Sequence, residues 1–360
     1  MKSLGRYQEL LTNLNQFLSL KADSASAWYA KGVALERLGH DVDAMASFDQ
    51  ALAIAPDDYS VWYYRSFVLE KLGCYEEAVA SYRKTLRLQP DNLKAWYSFG
   101  RMLAKIGRYV EAIAAYNQVL NAQPEHVQAW HQRGVVLYLL GSYKEAIASF
   151  EAALKIQPDY CKAWNCRSYA LIKLGHYELA VSGFDKALEI QPNNSQIWKH
   201  RSYALEQLGR SRDAIVSLNQ VTQLNPNDHW SWYQQGKALG RQGRYHEAIN
   251  SFARSLSIEA YHYQAWLALG LALQRSGNYE NAIVSYNKAL AIEPDHPFAF
   301  FNQACCYALQ GNTDWALEHL RRAIALEPER YRIQARNEDA LDSIRTDERF
   351  RALIEERSRA

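Results

Sequence analysis

Apolar residues recur along most of the chain with the period of an α-helix. Within residues 127–160, Trp130, Gly134 and Leu137 follow one another at i, i+4 and i+7, which places them on one helical face. A second series with the same period begins at Tyr143. The pattern predicts two short helices in this stretch.

Glycine and proline separate these helices. Gly141 interrupts the apolar pattern and Pro158 ends it. We therefore expect helices at about 127–140 and 143–156. Each helix has one apolar stripe, which can be buried only if further copies of the pair stack on either side.

The pair repeats at a fixed spacing of 34 residues, which eight tryptophans mark: Trp28, Trp62, Trp96, Trp130, Trp164, Trp198, Trp232 and Trp266. With this residue as position 4, position 15 is glycine and position 20 is alanine in nine consecutive repeats. Position 8 is always small, position 24 is Phe, Tyr or Leu, and position 32 is proline in eight repeats. We expect positions 4, 8 and 11 to face the core, and the small residue at position 8 to let the two helices approach closely.

These residues resemble the tetratricopeptide repeat (TPR) family, specifically its bacterial-type tandem arrays. The resemblance implies an all-α fold, a right-handed superhelical α-solenoid of tandem 34-residue helix-turn-helix repeats. It also implies that the first helices line a concave groove in which partner peptides bind. One departure is position 7, usually leucine, which is basic in five repeats: Lys31, Arg65, Arg133, Arg167 and Arg201.

The repeats divide the chain into three parts. Residues 1–24 match only the second helix of a repeat, so we expect either an N-terminal cap or the continuation of a longer protein. Residues 331–360 are rich in charge, and Asp347 can cap a last helix, so we expect capping helices there. Residues 25–330 hold nine repeats: 25–58, 59–92, 93–126, 127–160, 161–194, 195–228, 229–262, 263–296 and 297–330.

Two of these repeats depart from the consensus. The sixth has Ser211 at position 17, where tyrosine is usual, and Leu218 at position 24. The seventh has Ala260 in place of the proline. We expect the array to be softest between residues 195 and 262, and a local hinge there is a hypothesis that hydrogen exchange tests.

Composition excludes several classes of protein. The 360 residues are 48% hydrophobic and have a formal net charge of +2. A net charge this small does not predict binding to nucleic acid or to an anionic membrane. No stretch approaches the roughly 18 consecutive apolar residues of a membrane span, and the N-terminus has no signal-peptide core. The five cysteines form no CxxC pair, which favours free thiols and a cytoplasmic protein.

No motif predicts catalysis. The chain has no GxGxxG and no P-loop, and His246-Glu247 lacks the second histidine of a zinc-protease helix. His126, His262 and His296 share position 34, one to a loop, which does not converge on a metal ion. We expect no enzyme activity, no cofactor and no metal site.

Positions 2, 5, 9 and 12 of the first helices share a second face and are expected to line the groove. Together with the neighbouring positions 6 and 13 they are called the groove positions below. Positions 5 and 9 differ from repeat to repeat, whereas a residue that holds each repeat together should recur. Trp230 is the strongest candidate, because no other repeat has tryptophan at position 2. The candidate partner-binding residues are Tyr63, Tyr64, Phe67, Tyr97, Arg101, His131, Tyr138, Lys162, Tyr169, Lys199, Tyr203, Trp230, Tyr233 and Lys237.

The charge of the groove positions is mildly basic. Many of the cations stand at position 13, in the last helical turn, where the helix dipole favours them. The remaining basic residues fall in repeats three to seven: Lys94, Arg101, Lys162, Lys199 and Lys237. A basic centre with aromatic walls suggests an acidic partner peptide or one with a free C-terminal carboxylate.

Three functions fit these observations, with the oligomeric state left open. The first is a non-enzymatic scaffold or adaptor that binds a partner protein or peptide and does not associate with membranes. The second is a regulatory or substrate-recruiting arm of a larger multidomain enzyme, suggested by the half repeat at 1–24. The third is RNA binding through basic and aromatic side chains, which the modest charge favours least.

Overall fold

The computed structural model describes residues 2–355, and their side chains from residue 5, as helices joined by short turns with no strand among them. A 3-10 helix, Asp339–Ile344, separates the last two α-helices. The α-helices are α1 (Lys2–Leu20), α2 (Ala25–Leu38), α3 (Asp41–Ile54), α4 (Tyr59–Lys71), α5 (Tyr75–Leu88), α6 (Leu93–Lys105), α7 (Tyr109–Ala122), α8 (Val127–Leu139), α9 (Tyr143–Ile156), α10 (Cys161–Lys173), α11 (Tyr177–Ile190), α12 (Ser195–Gln207), α13 (Ser211–Leu224), α14 (His229–Arg241), α15 (Tyr245–Ile258), α16 (Tyr263–Arg275), α17 (Tyr279–Ile292), α18 (Pro297–Leu309), α19 (Thr313–Leu326), α20 (Pro328–Asn337) and α21 (Glu348–Glu355).

The chain forms two compact units, Met1–Leu179 and Ala180–Ala360. The first unit contains α1 to α10 and the second contains α12 to α21, with the division near the start of α11. In each unit the helices follow one another as pairs at the 34-residue spacing. The predicted all-α solenoid fold is confirmed.

The repeat's own residues set the ends of its helices. Glycine at position 15 has φ between 72° and 83° in all nine repeats, which is left-handed backbone that stops the first helix. At the start of several first helices, a polar side chain accepts from backbone N–H groups of the first turn, as Asp58 Oδ1 does from Ser60 N at 2.9 Å. Local chemistry is therefore enough to define each hairpin.

A ring at position 24 joins the two helices of a repeat. Phe48, Tyr82 and Phe150 are completely buried at this position. A Cβ atom added to Gly134, at position 8, would lie 2.6 Å from the Phe150 ring, closer than packed atoms can come. The predicted close approach at position 8 is confirmed.

The tryptophans at position 4 lie at the edge of the core rather than inside it. They are half-buried, and each indole Nε1 donates to the carbonyl six residues earlier at 2.7–2.9 Å, as Trp62 does to Pro56. That carbonyl belongs to the loop before the repeat. Trp62 and its equivalents thus face the core, as expected, and also tie the loop to the next first helix.

Three of the five basic residues at position 7 each link three helices. Arg65 on α4 donates to Asp49 Oδ1 on α3 at 2.8 Å and to Ser81 Oγ on α5 at 2.7 Å. Its guanidinium lies 5.7 Å from the centre of the Trp62 ring. Arg133 and Arg201 repeat this arrangement on the equivalent Asn or Asp and Ser partners. The departure from leucine thus supplies a polar connection between repeats.

The C-terminal helices cover the end of the second unit. Phe350 and Ile354 of α21 are buried in one cluster with Tyr331 of α20. Asp347 Oδ1 accepts from Arg349 N at 2.8 Å, so the predicted cap of α21 is confirmed. In the part of the chain that the structure describes, no helix is long and apolar enough to cross a lipid bilayer.

Candidate partner-binding site

In the first unit, the tyrosines at groove positions pack against each other and against the core. The Tyr64 ring lies 5.5 Å from Tyr29 and 5.7 Å from Tyr63, both edge-on. Tyr63 lies 6.0 Å from the buried Tyr82, and Tyr97 lies 6.0 Å from the equivalent ring of the third repeat. Burial raises the pKa of both Tyr63 and Tyr97. These rings are half-buried and packed on their neighbours, so only part of each ring is available to a partner.

Other candidates of the first unit are dispersed. Phe67 is 37% exposed, with the Lys71 ammonium 5.3 Å from its ring centre. Tyr138 is half-buried beside Tyr143, with 5.4 Å between their rings. Lys162 is exposed and Tyr169 is half-buried.

Carboxylates neutralise part of the predicted basic groove. Arg101 Nη2 donates to Glu70 Oε1 at 2.6 Å, and Lys71 forms an ion pair with the buried Glu36. In both pairs a base at a groove position meets an acid at position 12 of the preceding repeat. Glu70 therefore offsets the charge of Arg101, a pairing that its sequence position did not reveal.

His131 was predicted to face the groove, and this is wrong, because its side chain is buried. Its ring lies 5.8 Å from Phe150 and 5.2 Å from Tyr160, and its Nε2 lies 3.7 Å from Cys166 Sγ. Burial lowers the pKa of His131 to about 4 and raises the pKa of Cys166 to about 11. The pair is held as a neutral imidazole and a thiol, which is the opposite of an activated cysteine nucleophile.

The second unit brings four of the predicted residues together around one open pocket. It lies between α12 and α14 and has a volume of about 550 Å³. Lys199 and Tyr203 line it from α12, and Trp230 and Lys237 line it from α14. Tyr203 is 50% exposed and Trp230 is 47% exposed, so both rings present a large apolar area to solvent.

Two neighbours hold Trp230 in place. Its ring lies 5.3 Å from Tyr233 and 5.9 Å from His262. Tyr233 in turn lies 6.0 Å from the buried Phe252. Tyr233, another predicted partner residue, thus supports the pocket from behind.

Two of the basic side chains that line the pocket form ion pairs with carboxylates. Lys199 Nζ lies 2.5 Å from Asp228 Oδ2, and Arg241 forms an ion pair with Glu206. Burial acts to raise the pKa of Asp228, but hydrogen bonds from Lys199 and Ser231 outweigh it, so that pKa is lowered.

Lys237 is the exception. It has no ion-pair partner within 4.0 Å among the described residues, and its ammonium lies 5.3 Å from the Tyr233 ring centre. Burial, with the positive charge of Arg241, lowers the pKa of Lys237. The charge of Glu206, which also lines the pocket, partly offsets this lowering, and Lys237 faces the pocket without a direct ion-pair partner in the described chain.

The pocket exists because the sixth repeat lacks two rings that other repeats have. Position 5 is Lys199 and position 24 is Leu218, whereas Tyr63 and Tyr82 occupy these positions in the second repeat. Leu218 forms the floor. In the sequence, Leu218 is a departure from the repeat, and Arg241 stands at position 13, where the helix dipole favours a cation. Their part in the pocket became visible only in three dimensions.

The described residues contain no group of three or more His, Cys, Asp or Glu side chains arranged to hold a metal ion. The rings of His229 and His262 lie 5.6 Å apart, and His262 packs against Trp230 and Tyr233.

Comparison with known families and structures extends these observations. Family models described as tetratricopeptide repeat match residues 68–123, 111–160 and 233–297, residues 161–194 and 297–330, and residues 195–228, which is well over half of the chain. A model of the protein prenyltransferase alpha subunit repeat matches residues 42–72, within α3 and α4. No curated protein sequence matches significantly.

Two solved structures show the same architecture, and a third is similar over part of the chain. The C-terminal part of a TPR repeat-containing protein from Cytophaga hutchinsonii is 18% identical and covers 69% of this chain and 99% of its own, with a TM-score of 0.56. A tetratricopeptide repeat protein from Parabacteroides merdae is 19% identical, with coverages of 69% and 98% and a TM-score of 0.51. YrrB, described as a TPR protein with an unusual peptide-binding site, is 24% identical, with coverages of 51% and 95% and a TM-score of 0.48. At these identities the likeness concerns the fold alone.

Proposed function

The chain belongs to the tetratricopeptide repeat family, and we propose that it is a non-enzymatic scaffold that binds an extended segment of a partner protein between α12 and α14. The pocket between these helices is the observation that carries the proposal. Its volume of about 550 Å³ suits a few side chains of a peptide rather than a folded domain.

The two exposed rings support an apolar anchor on the partner. Tyr203 and Trp230 stand on opposite helices, each with about half of its surface in water. Covering such rings releases water from a large rigid area at little cost in side-chain entropy. The partner would therefore insert an aliphatic or aromatic side chain between them.

Lys237 supports an acidic group beside that anchor. Its ammonium has no carboxylate of its own in the described part of the chain, whereas Lys199 and Arg241 each have one. A partner carboxylate, from an acidic side chain or a free C-terminus, would pair with it in a partly desolvated site.

The cysteines support the compartment that this proposal assumes. All five are free thiols, and three of them are buried. A reducing compartment such as the cytoplasm suits them.

The test compares two tryptophans of similar exposure. Trp230→Ala alters the pocket, whereas Trp315→Ala alters a tryptophan of α19 that is 53% exposed and lies outside it. With the full chain as bait and quantitative mass spectrometry, we expect Trp230→Ala to reduce capture of the partner at least about tenfold. Trp315→Ala should retain the partner.

The thermal melting temperature of both variants should stay close to that of the wild type, because both rings are exposed. Equal capture by Trp230→Ala and wild type would contradict the proposal. So would an equal loss in both variants.

A further inference from the structure

A second recess adjoins the pocket in the same unit. It has a volume of about 900 Å³ and is bounded by the turn before α13, the first residues of α13, the end of α14 and the turn before α15. Arg241 lines both the pocket and the recess, so the two lie on either side of that side chain. A segment bound in the pocket and running toward the end of α14 would enter the recess.

Missing bulk also explains this recess. Ser211 lines it and stands at position 17, where six of the nine repeats have tyrosine. Both departures of the sixth repeat, Ser211 and Leu218, thus lie where the surface opens.

Arginine dominates the lining of the recess, which contains four guanidinium groups and one carboxylate, Asp213. The arginines are Arg210, Arg212, Arg241 and Arg244. They come from two successive repeats and converge on one volume. Such a concentration of planar donors suits an anion with several oxygens.

Arg244 and Arg212 have N–H donors that are still available to an anion. Arg244 holds Glu247 through Nε and Nη2, both at 2.7 Å, and its Nη1 has no partner among the described residues. Arg212 makes no hydrogen bond or ion pair with any residue that the structure describes. A guanidinium has five N–H donors, so one carboxylate does not saturate it.

We propose that this recess binds a dianionic phosphoryl group on the partner segment, a phosphorylated side chain, held mainly by Arg212, Arg241 and Arg244. A partner carboxylate has one charge, and its binding would add little because the arginines already face the carboxylates of Asp213, Glu206 and Glu247. A phosphoryl group has about two charges and three acceptor oxygens, which can be shared by several guanidinium groups at once. The proposal rests on the proposed function, because the same segment occupies the pocket.

The spacing of the two parts predicts the spacing of the ligand. Trp230 and Arg241 are eleven residues apart on α14, which corresponds to about 16 Å along the helix. An extended peptide covers about 3.3 Å per residue. The phosphorylated residue should therefore lie about five residues from the apolar anchor.

A first experiment tests the recess by itself, with pyrophosphate as the probe in titration calorimetry. Arg212→Gln and Arg244→Gln should each weaken binding at least about fivefold, because each removes a charge-assisted contact. Arg108→Gln is the matched control. Arg108 also stands at position 16 and holds a glutamate, Glu111, through Nε and Nη2 at 2.6 Å, with nearly the same exposure as Arg244.

Arg108→Gln should bind pyrophosphate as the wild type does, and so should Trp230→Ala. No binding to the wild type, or equal weakening by Arg108→Gln, would overturn the anion site. This arm does not involve the pocket, so it separates a failure of the recess from a failure of the proposed function.

A second experiment tests the continuity of the two parts. Synthetic Gly/Ser peptides carry one leucine and one phosphoserine that lies three, five or nine residues away on either side. We expect tightest binding at five residues, at least about tenfold above the same peptide with unmodified serine, and loss of that gain in Arg244→Gln.

Equal affinity at all spacings would overturn the continuity. The remaining outcome is a nucleic-acid site. Oligouridylate would then bind with a steep salt dependence, and its affinity would depend on Arg212 and Arg244 but not change in Trp230→Ala. That result would identify the ligand of the recess as a nucleic acid instead of a phosphopeptide.

Discussion

The aromatic surfaces of the two units look alike in sequence and differ in structure. In the first unit, Tyr63 at position 5 lies against the buried Tyr82 at position 24. In the second unit the same two positions are Lys199 and Leu218, and a pocket opens. An aromatic residue at a groove position is thus not by itself a binding residue. Whether a pocket opens beside it depends on whether a ring behind it fills the space between the two helices of the repeat.

This difference corrects an inference from internal symmetry. Position 5 varies between repeats, and variation was taken as a sign of partner binding. Yet Tyr29, Tyr97, His131 and Tyr233 all pack on the ring at position 24 of their own repeats. Several different rings can fill the same space, so variation at a position does not exclude a structural role.

The largest expected contrast is between a ring of the closed surface and a ring of the pocket. Tyr82→Ala should lower the free energy of unfolding by about 3–5 kcal/mol, because it leaves a cavity under α4 and α5. Tyr203→Ala should lower it by less than about 1 kcal/mol, because that ring is half exposed. Urea unfolding of both variants measures the contrast, and similar losses would remove the distinction between the two surfaces.

A second prediction concerns the buried His131. Its pKa of about 4 lies below the usual value of 6.5, so between these pH values the unfolded chain binds a proton that the folded chain does not. The contribution of neutral His131 to the free energy of unfolding is therefore complete above pH 6.5 and is lost as the pH falls toward 4. Between pH 7 and pH 4.5 the free energy of unfolding should fall by about 2 kcal/mol for this reason.

His131→Phe removes this titration and keeps a ring beside Phe150. Urea unfolding at several pH values should show a shallower loss of stability on acidification in the variant. An identical pH dependence of variant and wild type would mean that His131 is solvated, as its sequence position first suggested.

The third prediction closes the pocket. Leu218→Phe restores the ring that most repeats have at position 24, and the small residue facing it is Ser202. The second repeat already combines Ser66 with Tyr82, so the change should alter stability by about 1 kcal/mol or less. Partner affinity should fall about tenfold, roughly 1.4 kcal/mol. Unchanged affinity in calorimetry would show that the partner does not use the pocket floor.

The smallest expected effect separates a free cation from a paired one. Lys237→Gln should weaken an acidic ligand about threefold to tenfold without loss of stability, because Lys237 has no carboxylate partner in the described chain. Arg101→Gln, also at position 9, should leave binding unchanged and slightly lower stability, since it strands Glu70. The reverse pattern would locate the partner in the first unit instead.

Much of the fold could be predicted because it depends on local chemistry. Three features can be recognised directly in the sequence: the 34-residue period, the small residues at position 8 and the nine glycines that take left-handed backbone. Lys199, Tyr203, Trp230 and Lys237, which line the pocket, were among the predicted partner-binding residues, because positions 5 and 9 vary between repeats and Trp230 is the one tryptophan at position 2; that they bind a partner stays a prediction. The hinge between residues 195 and 262 stays a prediction, and so does the division into nine repeats with caps.

The rest depended on side chains from different helices. Glu70 neutralises Arg101 across 31 residues of sequence, and Asp228 meets Lys199 across a helical hairpin. The charge count of the groove could not include these pairings, because it treated each residue alone. The burial of His131 and the recess at Ser211 have the same origin.

Sequence by itself thus determined the repeating hairpin, because its turns, caps and apolar stripes follow from residues within one period. Tertiary structure decided where the surface is closed and where it is open. A pocket is a space that side chains of several helices fail to fill, and no periodicity along the chain records an empty volume. Leu218 and Ser211 were visible as irregularities from the start, and their packed surroundings show them to be openings.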